Sequence, residues 1–427
     1  MAKEQDTYEG DADLIRHNVY RWSLLAICWF GFTLTSVDRS AWGPSSLFVG
    51  QDLGVPLASL GVFATAYYAG YVFSNAAGGY FTDKIGGRAL IALSLMGAGI
   101  FMFLFGSTKS AVVGIAVQGL VGLFAGAEYG AGVKLLASWF RPRELGKVMG
   151  IYTSATAVGV LVANTLVPRL IDKFDWTTSY HLFGGVSIVA GVVCYILLRP
   201  GPVRIEAVAK GESASTFRTL LGNRNLMLLA LAGFGGFWGT YGFVIWSNTL
   251  MIKGRGIDHT VAGMIVGIFA TMGIFGKPLI GWISDRLNGA RRVPAIVMLL
   301  LFSVMLIVFG LLETPLAFVL AAPLLGLSAY CYLPMIVALV PRLVGTQALG
   351  TAAGGVNALW QLGSTLVPLA VGAAFAVSGN SFIVALGALA IGPLIGAIAM
   401  YCVNEHPEGM RTKIVEISET DDRKTLS

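Results

Sequence analysis

The pattern Gly79-x-x-x-Asp83-Lys84-x-Gly86-Gly87-Arg88 returns as Gly281-x-x-x-Asp285-Arg286-x-x-Gly289-x-Arg291-Arg292, with Asp83 and Asp285 202 residues apart. Two more pairs keep nearly the same register. Leu145-Gly146-x-x-x-Gly150 matches Leu349-Gly350-x-x-x-Gly354 at an offset of 204, and Thr165-Leu166-Val167-Pro168 matches Thr365-Leu366-Val367-Pro368 at 200. Self-similarity at a fixed spacing means that the chain folds as two like units. Because the pairs lie among long apolar runs, the units are expected to sit in a membrane with the same orientation.

Composition supports that solvent. Of 427 residues, 56% are hydrophobic and 12% charged, with a mean hydropathy of +0.74; a soluble domain carries about 25% charged residues. Spanning strands would require a closed barrel with alternating patterning, whereas these runs are continuous and rich in Leu and Ala. The expected fold is an all-α membrane protein of roughly twelve transmembrane helices at about 20 residues each. The spans are read at 20–42, 57–82, 87–106, 110–140, 145–169 and 178–198, then 225–251, 260–284, 292–312, 314–340, 346–377 and 380–403. This gives an N-terminal tail (1–19), a six-helix bundle (20–198), a polar linker (199–224), a second six-helix bundle (225–403) and a C-terminal tail (404–427).

Charge sets the expected topology. If both tails are cytoplasmic, Lys84, Arg88, Arg141, Arg143, Lys147, Arg199, Arg204, Lys210, Arg218, Arg224, Arg286, Arg291, Arg292 and Arg342 lie inside. The outer loops then hold Lys109, Arg169, Lys173, Lys253 and Arg255. The formal charge of +6 is thus dispersed along the loops and does not point to nucleic acid. The acidic N-terminal tail has no apolar core and does not read as a cleaved signal peptide. Cys28, Cys194, Cys331 and Cys402 have neither metal spacing nor a disulfide framework, and no cofactor or metal is expected. Gly122, Gly126 and Gly130, like Gly263 and Gly267, recur at every fourth position, a spacing that suits close helix packing in lipid.

Five ionisable residues fall well inside spans: Asp38 and Arg39, Glu128 and Lys134, and Lys277. Each costs roughly 2.5 to 3.5 kcal/mol on insertion scales, which makes function the first hypothesis. From the expected cytoplasmic ends, Asp38 lies about 26 Å deep and Glu128 about 20 Å, so the two can share a compartment. Neighbours on a helix point about 100° apart, so Arg39 can face a cavity while Asp38 turns toward another helix. The five sum to +1 when ionised, which an entering anion would balance. Arginine keeps its proton and offers a planar fork to carboxylate, whereas Asp and Glu can exchange protons. Arg39 is therefore the expected anion anchor, with Asp38 and Glu128 as proton carriers. Lys134, about 10 Å from its span end, and Lys277, about two turns from Asp285, either join the binding site or snorkel. Tyr67, Tyr71, Trp246, Asn357, Trp360 and Gln361, with apolar bodies and polar tips, are further candidates to shape a pocket; packing or an interfacial belt is the other reading of each.

The repeated loop is similar to the signature between the second and third helices of the major facilitator superfamily, and its second copy falls between the eighth and ninth. Val37-Asp38-Arg39-Ser40, Gly126-Ala127-Glu128, and Ser138-Trp139-Phe140 followed by Arg143-Glu144 resemble its anion:cation symporter branch, which includes sugar-acid carriers and relatives of sialin and the vesicular glutamate carriers. The resemblance implies alternating access, acids on the first and fourth helices that couple protons, and a first-helix arginine that binds anion. It also implies a cytoplasmic gate built from Asp83, Lys84, Arg88, Arg143, Glu144, Asp285 and Arg286. Departures are Val121, where many relatives carry arginine, and Glu144-Leu145, where Glu-Arg is usual; Lys134 and Lys277 are expected to supply the missing positive charge.

The leading expectation is a proton-coupled importer of a small organic anion, such as a sugar acid or aromatic acid, working as a monomer in the cell (inner) membrane with H+ as the driving ion. An exporter or exchanger of the same fold is the nearest alternative, although the glycine- and proline-rich signature of antiporters is absent between Gly150 and Pro168. A membrane receptor would bind without turnover. A membrane enzyme is disfavoured because His17, His181, His259 and His406 sit at span margins or in tails, away from any nucleophile or ligand cluster.

Overall fold

The polar run Thr33–Ser40 does not end the first helix. In a computed structural model that describes residues 20–201, 222–286, 291–344 and 349–404, helix α1 (Tyr20–Ser40) is interrupted at Ala41 and continues as α2 (Trp42–Asp52). The interruption has a local cause: Pro44 has no N–H to offer the Ser40 carbonyl, and a proline is tolerated in the first turn of the next segment. The first span is therefore ten residues longer than the expected 20–42.

After a short 3-10 turn at Leu57–Ser59, the remaining helices are α3 (Gly61–Ile85), α4 (Gly87–Gly106), α5 (Ala111–Ala137), α6 (Pro142–Lys173) and α7 (Trp176–Leu197). The second half holds α8 (Arg224–Arg255), α9 (His259–Arg286), α10 (Arg292–Leu311), α11 (Pro315–Val344), α12 (Leu349–Val377) and α13 (Phe382–Cys402). Among the described residues there is no strand, and eleven helices are long and apolar enough to cross a membrane. The first helix is long enough at 21 residues but less apolar, because its C-terminal third is hydroxylated and charged.

Local signals explain the element ends. Asp175 and Asn223 cap α7 and α8 by accepting from Thr178 N (2.8 Å) and Leu226 N (3.2 Å). Hydrogen bonds from Thr177 and Thr178 hold the Asp175 carboxyl below its usual range. Between α3 and α4 the chain turns through Gly86 at φ +86°, a conformation that glycine adopts without steric cost.

Both halves use one packing scheme. Helix α3 lies against α5 as α9 lies against α11, α4 against α7 as α10 against α13, and α1 against α6 as α8 against α12. The glycine stripe on α5 seats α3: a Cβ at Gly122 or Gly126 would run into the backbone of Tyr67 or Tyr71, while Gly130 faces open space. Tyr20 Oη donates to Leu197 O (2.6 Å) and Asn404 N to Asn225 Oδ1 (3.0 Å), so the outermost helix ends of each half share one face, here termed the linker face.

The halves meet near the opposite, far face. Helix α3 crosses α12, α6 crosses α9, and α2 crosses α8. A Cβ at Gly61 would strike Pro368 O; at the equivalent position, one at Gly263 would strike Asn164 O and the Pro168 ring. Hydrogen bonds tie this seam: Thr65 to Thr365 O (3.0 Å), Ser46 with Thr249 (2.8 Å) and Asn248 to Asn164 (2.8 Å). His259 Nε2 lies 2.8 Å from Asp172, which also accepts from Thr260 at 3.0 Å. Toward the linker face the crossing helices spread: a Cβ at Gly146 or Gly150 on α6, or at Gly281 on α9, meets nothing within 4 Å. The assembly is thus shut at the far face, with a cavity between the halves on the linker side of the seam.

Candidate functional site

The hydroxyl-rich end of α1 builds the first wall. Thr33 and Ser36 return their protons to Trp29 O (2.9 Å) and Phe32 O (2.7 Å), which leaves Thr35 for α5 and the charged pair for two different neighbours. Thr35 Oγ1 donates to Glu128 Oε2 at 2.6 Å. Asp38 turns to α7, where Ser187 Oγ donates to its two oxygens at 3.0 and 3.3 Å. Arg39, one residue on, points into the cavity, as the 100° step of a helix requires.

The cavity measures about 140 Å³. Phe32, Arg39, Tyr71, Tyr129, Thr153 and Thr156 line it from the first half. Phe237, Thr240, Tyr241, Lys277, Tyr330, Tyr332, Asn357, Trp360 and Gln361 line it from the second. The Arg39 guanidinium lies 5.2 Å from the Tyr241 ring centre and 5.8 Å from that of Tyr71, a cation held by aromatic faces. Among the described residues no carboxylate pairs with it. Lys277 faces the same space from α9, 5.3 Å from the Tyr330 ring and 3.4 Å from Thr156 Oγ1. Two cations without an acidic partner among the described residues share one cavity and leave positive charge for a ligand to neutralise.

The acids stand behind the wall. Asp38 is 4% and Glu128 0% exposed, and neither lines the cavity. Glu128 Oε1 has no hydrogen-bond partner, a costly state for a fixed charge. The two acids nonetheless flank the anchor: Asp38 adjoins Arg39 in sequence, and Glu128 adjoins Tyr129, a cavity residue. The shared compartment expected from depth alone is therefore a buried layer of the first half, separated from the cavity by Arg39 and the tyrosines.

Tyr71, Lys277, Asn357, Trp360 and Gln361 join Arg39 at the cavity, whereas three other candidates do not. Lys134 forms an ion pair with Asp83 near the linker face; counting residues along α5 gave its depth but not its direction. Trp246 is buried at the seam, its Nε1 donating to Pro368 O at 3.1 Å, where it helps to clamp α8 to α12. Tyr67 stacks beneath Tyr71 at 6.1 Å and lies one layer back. Since Lys134 is committed to Asp83, Lys134→Met is expected to leave anion affinity within about twofold of the parent, the scale of a screened surface charge, as read by titration calorimetry; a tenfold loss would return Lys134 to the site.

Within the gate, the described contacts stay inside one half. Asp83 pairs with Lys134, Glu144 with Arg21 (3.2 Å), and Arg88 donates to Tyr195 O (2.7 Å). Arg286 stacks on Trp282 at 3.8 Å, and Lys84 is exposed. The side chains of Arg143 and Asp285 lie outside the described residues. This pattern accompanies the spreading of the helices toward the linker face.

Sequence reasoning missed the tyrosines of the second half, yet a signal for them existed. Adding the repeat offset of 202 to Arg39 gives Tyr241, and adding it to Glu128 gives Tyr330. Both line the cavity, so positions that carry charge in the first repeat carry aromatic rings in the second.

Comparison with known proteins agrees with this architecture. The family model of the Major Facilitator Superfamily matches residues 28–368. The chain is 22% identical to a D-galactonate transporter of Escherichia coli, covering 89% of this chain and 94% of that one. It is 24% identical to a probable galactarate/D-glucarate transporter of Bacillus subtilis (67% and 71% covered) and to the membrane sensor protein UhpC of Escherichia coli (68% and 70%). A crystal structure of a bacterial homologue of the lysosomal transporter Spinster, titled inward-facing and unoccupied, superposes with a TM-score of 0.76 at 14% identity, covering 90% of this chain and 98% of that one. With the repeat, the shared helix packing and the inter-half cavity in place, the chain belongs to the major facilitator superfamily and is a multi-pass membrane transporter, not an enzyme.

Proposed function

We propose that this transporter is a symporter that carries a small organic anion together with protons into the cell, with the linker face cytoplasmic. The observation that carries the reading is Arg39: a guanidinium in the inter-half cavity, held by two tyrosine rings and without an acidic partner among the described residues. A carboxylate placed there gains two parallel charge-assisted hydrogen bonds. Asp38 and Glu128 flank that anchor and are the proton carriers in this reading, so anion occupancy at Arg39 and protonation of the acids influence each other. Relatives named as sugar-acid transporters support an anionic cargo. The excess of basic residues at the linker face supports its cytoplasmic placement in the cell (inner) membrane, and in this reading the chain works as a monomer through the Arg39 cavity between its halves.

The test is accumulation in proteoliposomes with an acidic exterior. Intact protein is expected to concentrate labelled anion above the bath and to lose that ability when a protonophore collapses the gradient. Anion leaving against its own gradient as protons enter would instead make it an exporter. The relative named as a sensor favours a second reading, a receptor; saturable binding with no flux would establish it.

A further inference from the structure

Resting on the anion-carrier reading above, we infer that the cargo is an aromatic monocarboxylate rather than a polyhydroxylated sugar acid. The chemistry of the wall separates the two. Ring faces come from both halves, with Phe32, Tyr71 and Tyr129 opposite Phe237, Tyr241 and Trp360. The threonine protons on this wall are already committed: Thr153 donates to Met149 O (2.8 Å), Thr156 to Thr153 O (2.9 Å) and Thr240 to Ala329 O (3.0 Å), which leaves polar contact to the tyrosine hydroxyls at the ring edges, Asn357 and Lys277. Gln361 Oε1 already accepts from Ser364 at 3.0 Å. A sugar acid would bring hydroxyl groups out of water all around its chain to a wall made mainly of ring faces, and each hydroxyl left facing a ring is a loss.

A ring acid fits the same surface. Its carboxylate meets the Arg39 fork while its ring stacks, offset or edge-on, against the tyrosines that hold the guanidinium. A cavity of about 140 Å³ corresponds to roughly ten water positions, the scale of a single-ring acid. Tyr241 is the specificity-determining contact, because it borders both the guanidinium and the cavity. It acts through its ring face, so the hydroxyl is dispensable.

The experiment is titration calorimetry on the purified full-length protein with 4-hydroxybenzoate and phenylacetate against D-galactonate and D-glucarate, followed by uptake of whichever binds. The ring acids are expected to bind at least about tenfold more tightly, the discrimination a matched pocket gives over a mismatched one. Tyr241→Phe should stay within about threefold of the parent and Tyr241→Leu should lose about tenfold, with unliganded melting temperatures confirming that both variants are folded. Tighter binding of the sugar acids, binding of neither class, or equal damage from Phe and Leu would each overturn the inference. Proton-driven uptake of a sugar acid alone would refute it while leaving the carrier reading intact. Ring acids that bind selectively but are never accumulated would uphold the ligand class, while refuting their role as cargo together with the carrier reading.

Discussion

Arg39→Ala is expected to cripple anion binding, with affinity falling at least about thirtyfold. Truncating one member of a buried charge pair costs about 2 to 5 kcal/mol, and each 1.4 kcal/mol is about tenfold. No second guanidinium lines the cavity among the described residues, and Lys277 offers a point charge from the other half. Arg39→Lys should recover part of the loss, since it restores charge without the planar fork. Equilibrium binding of labelled anion to the purified variants decides the matter. An alanine variant that binds as the parent does would remove Arg39 from the site.

Glu128→Gln and Asp38→Asn are expected to separate movement from coupling. Both changes keep the shape of the side chain and its bond to Thr35 or Ser187, so the buried layer of the first half should pack as before. Neither variant can gain or lose a proton at that position. Exchange of labelled for unlabelled anion across the membrane should persist near the parent rate. Uphill accumulation should vanish: a gradient of one pH unit is worth about 1.4 kcal/mol per proton, or about tenfold in concentration, and the variants should stay near equal concentrations on both sides. Normal concentrating power in both variants would show that neither acid couples protons.

The spans were legible because an apolar run of bilayer length has few alternatives to helix. The first span runs past its expected end because the helix resumes through Pro44, which interrupts the ladder without ending the span. The division of Asp38 and Arg39 between two neighbours followed from helical geometry alone. Facing was harder to read. Lys134 and Trp246 lie at plausible sequence positions, yet one is drawn to Asp83 and the other to Pro368 O, partners fixed by tertiary packing. The tyrosines of the second half were hidden for a different reason. A tyrosine in a span is inexpensive and unremarkable by itself, whereas a buried charge stands out; only the repeat register reveals that Tyr241 and Tyr330 occupy the places of Arg39 and Glu128.

The paired glycine contacts at the far face carry a mechanical consequence. Gly61 against Pro368 O and Gly263 against Asn164 O, with Gly43 against Val244 O and Gly372 against Ala58 O, are close backbone contacts between the halves, and contacts gathered toward one face act as an axle. Bodies joined in this way retain one inexpensive freedom, rotation about the line through them. The lever is long: the 25 residues of α3 reach about 37 Å at 1.5 Å per residue. A swing of about 10° would thus carry the other end through roughly 6 Å, a small turn at the pivot becoming a doorway for a molecule.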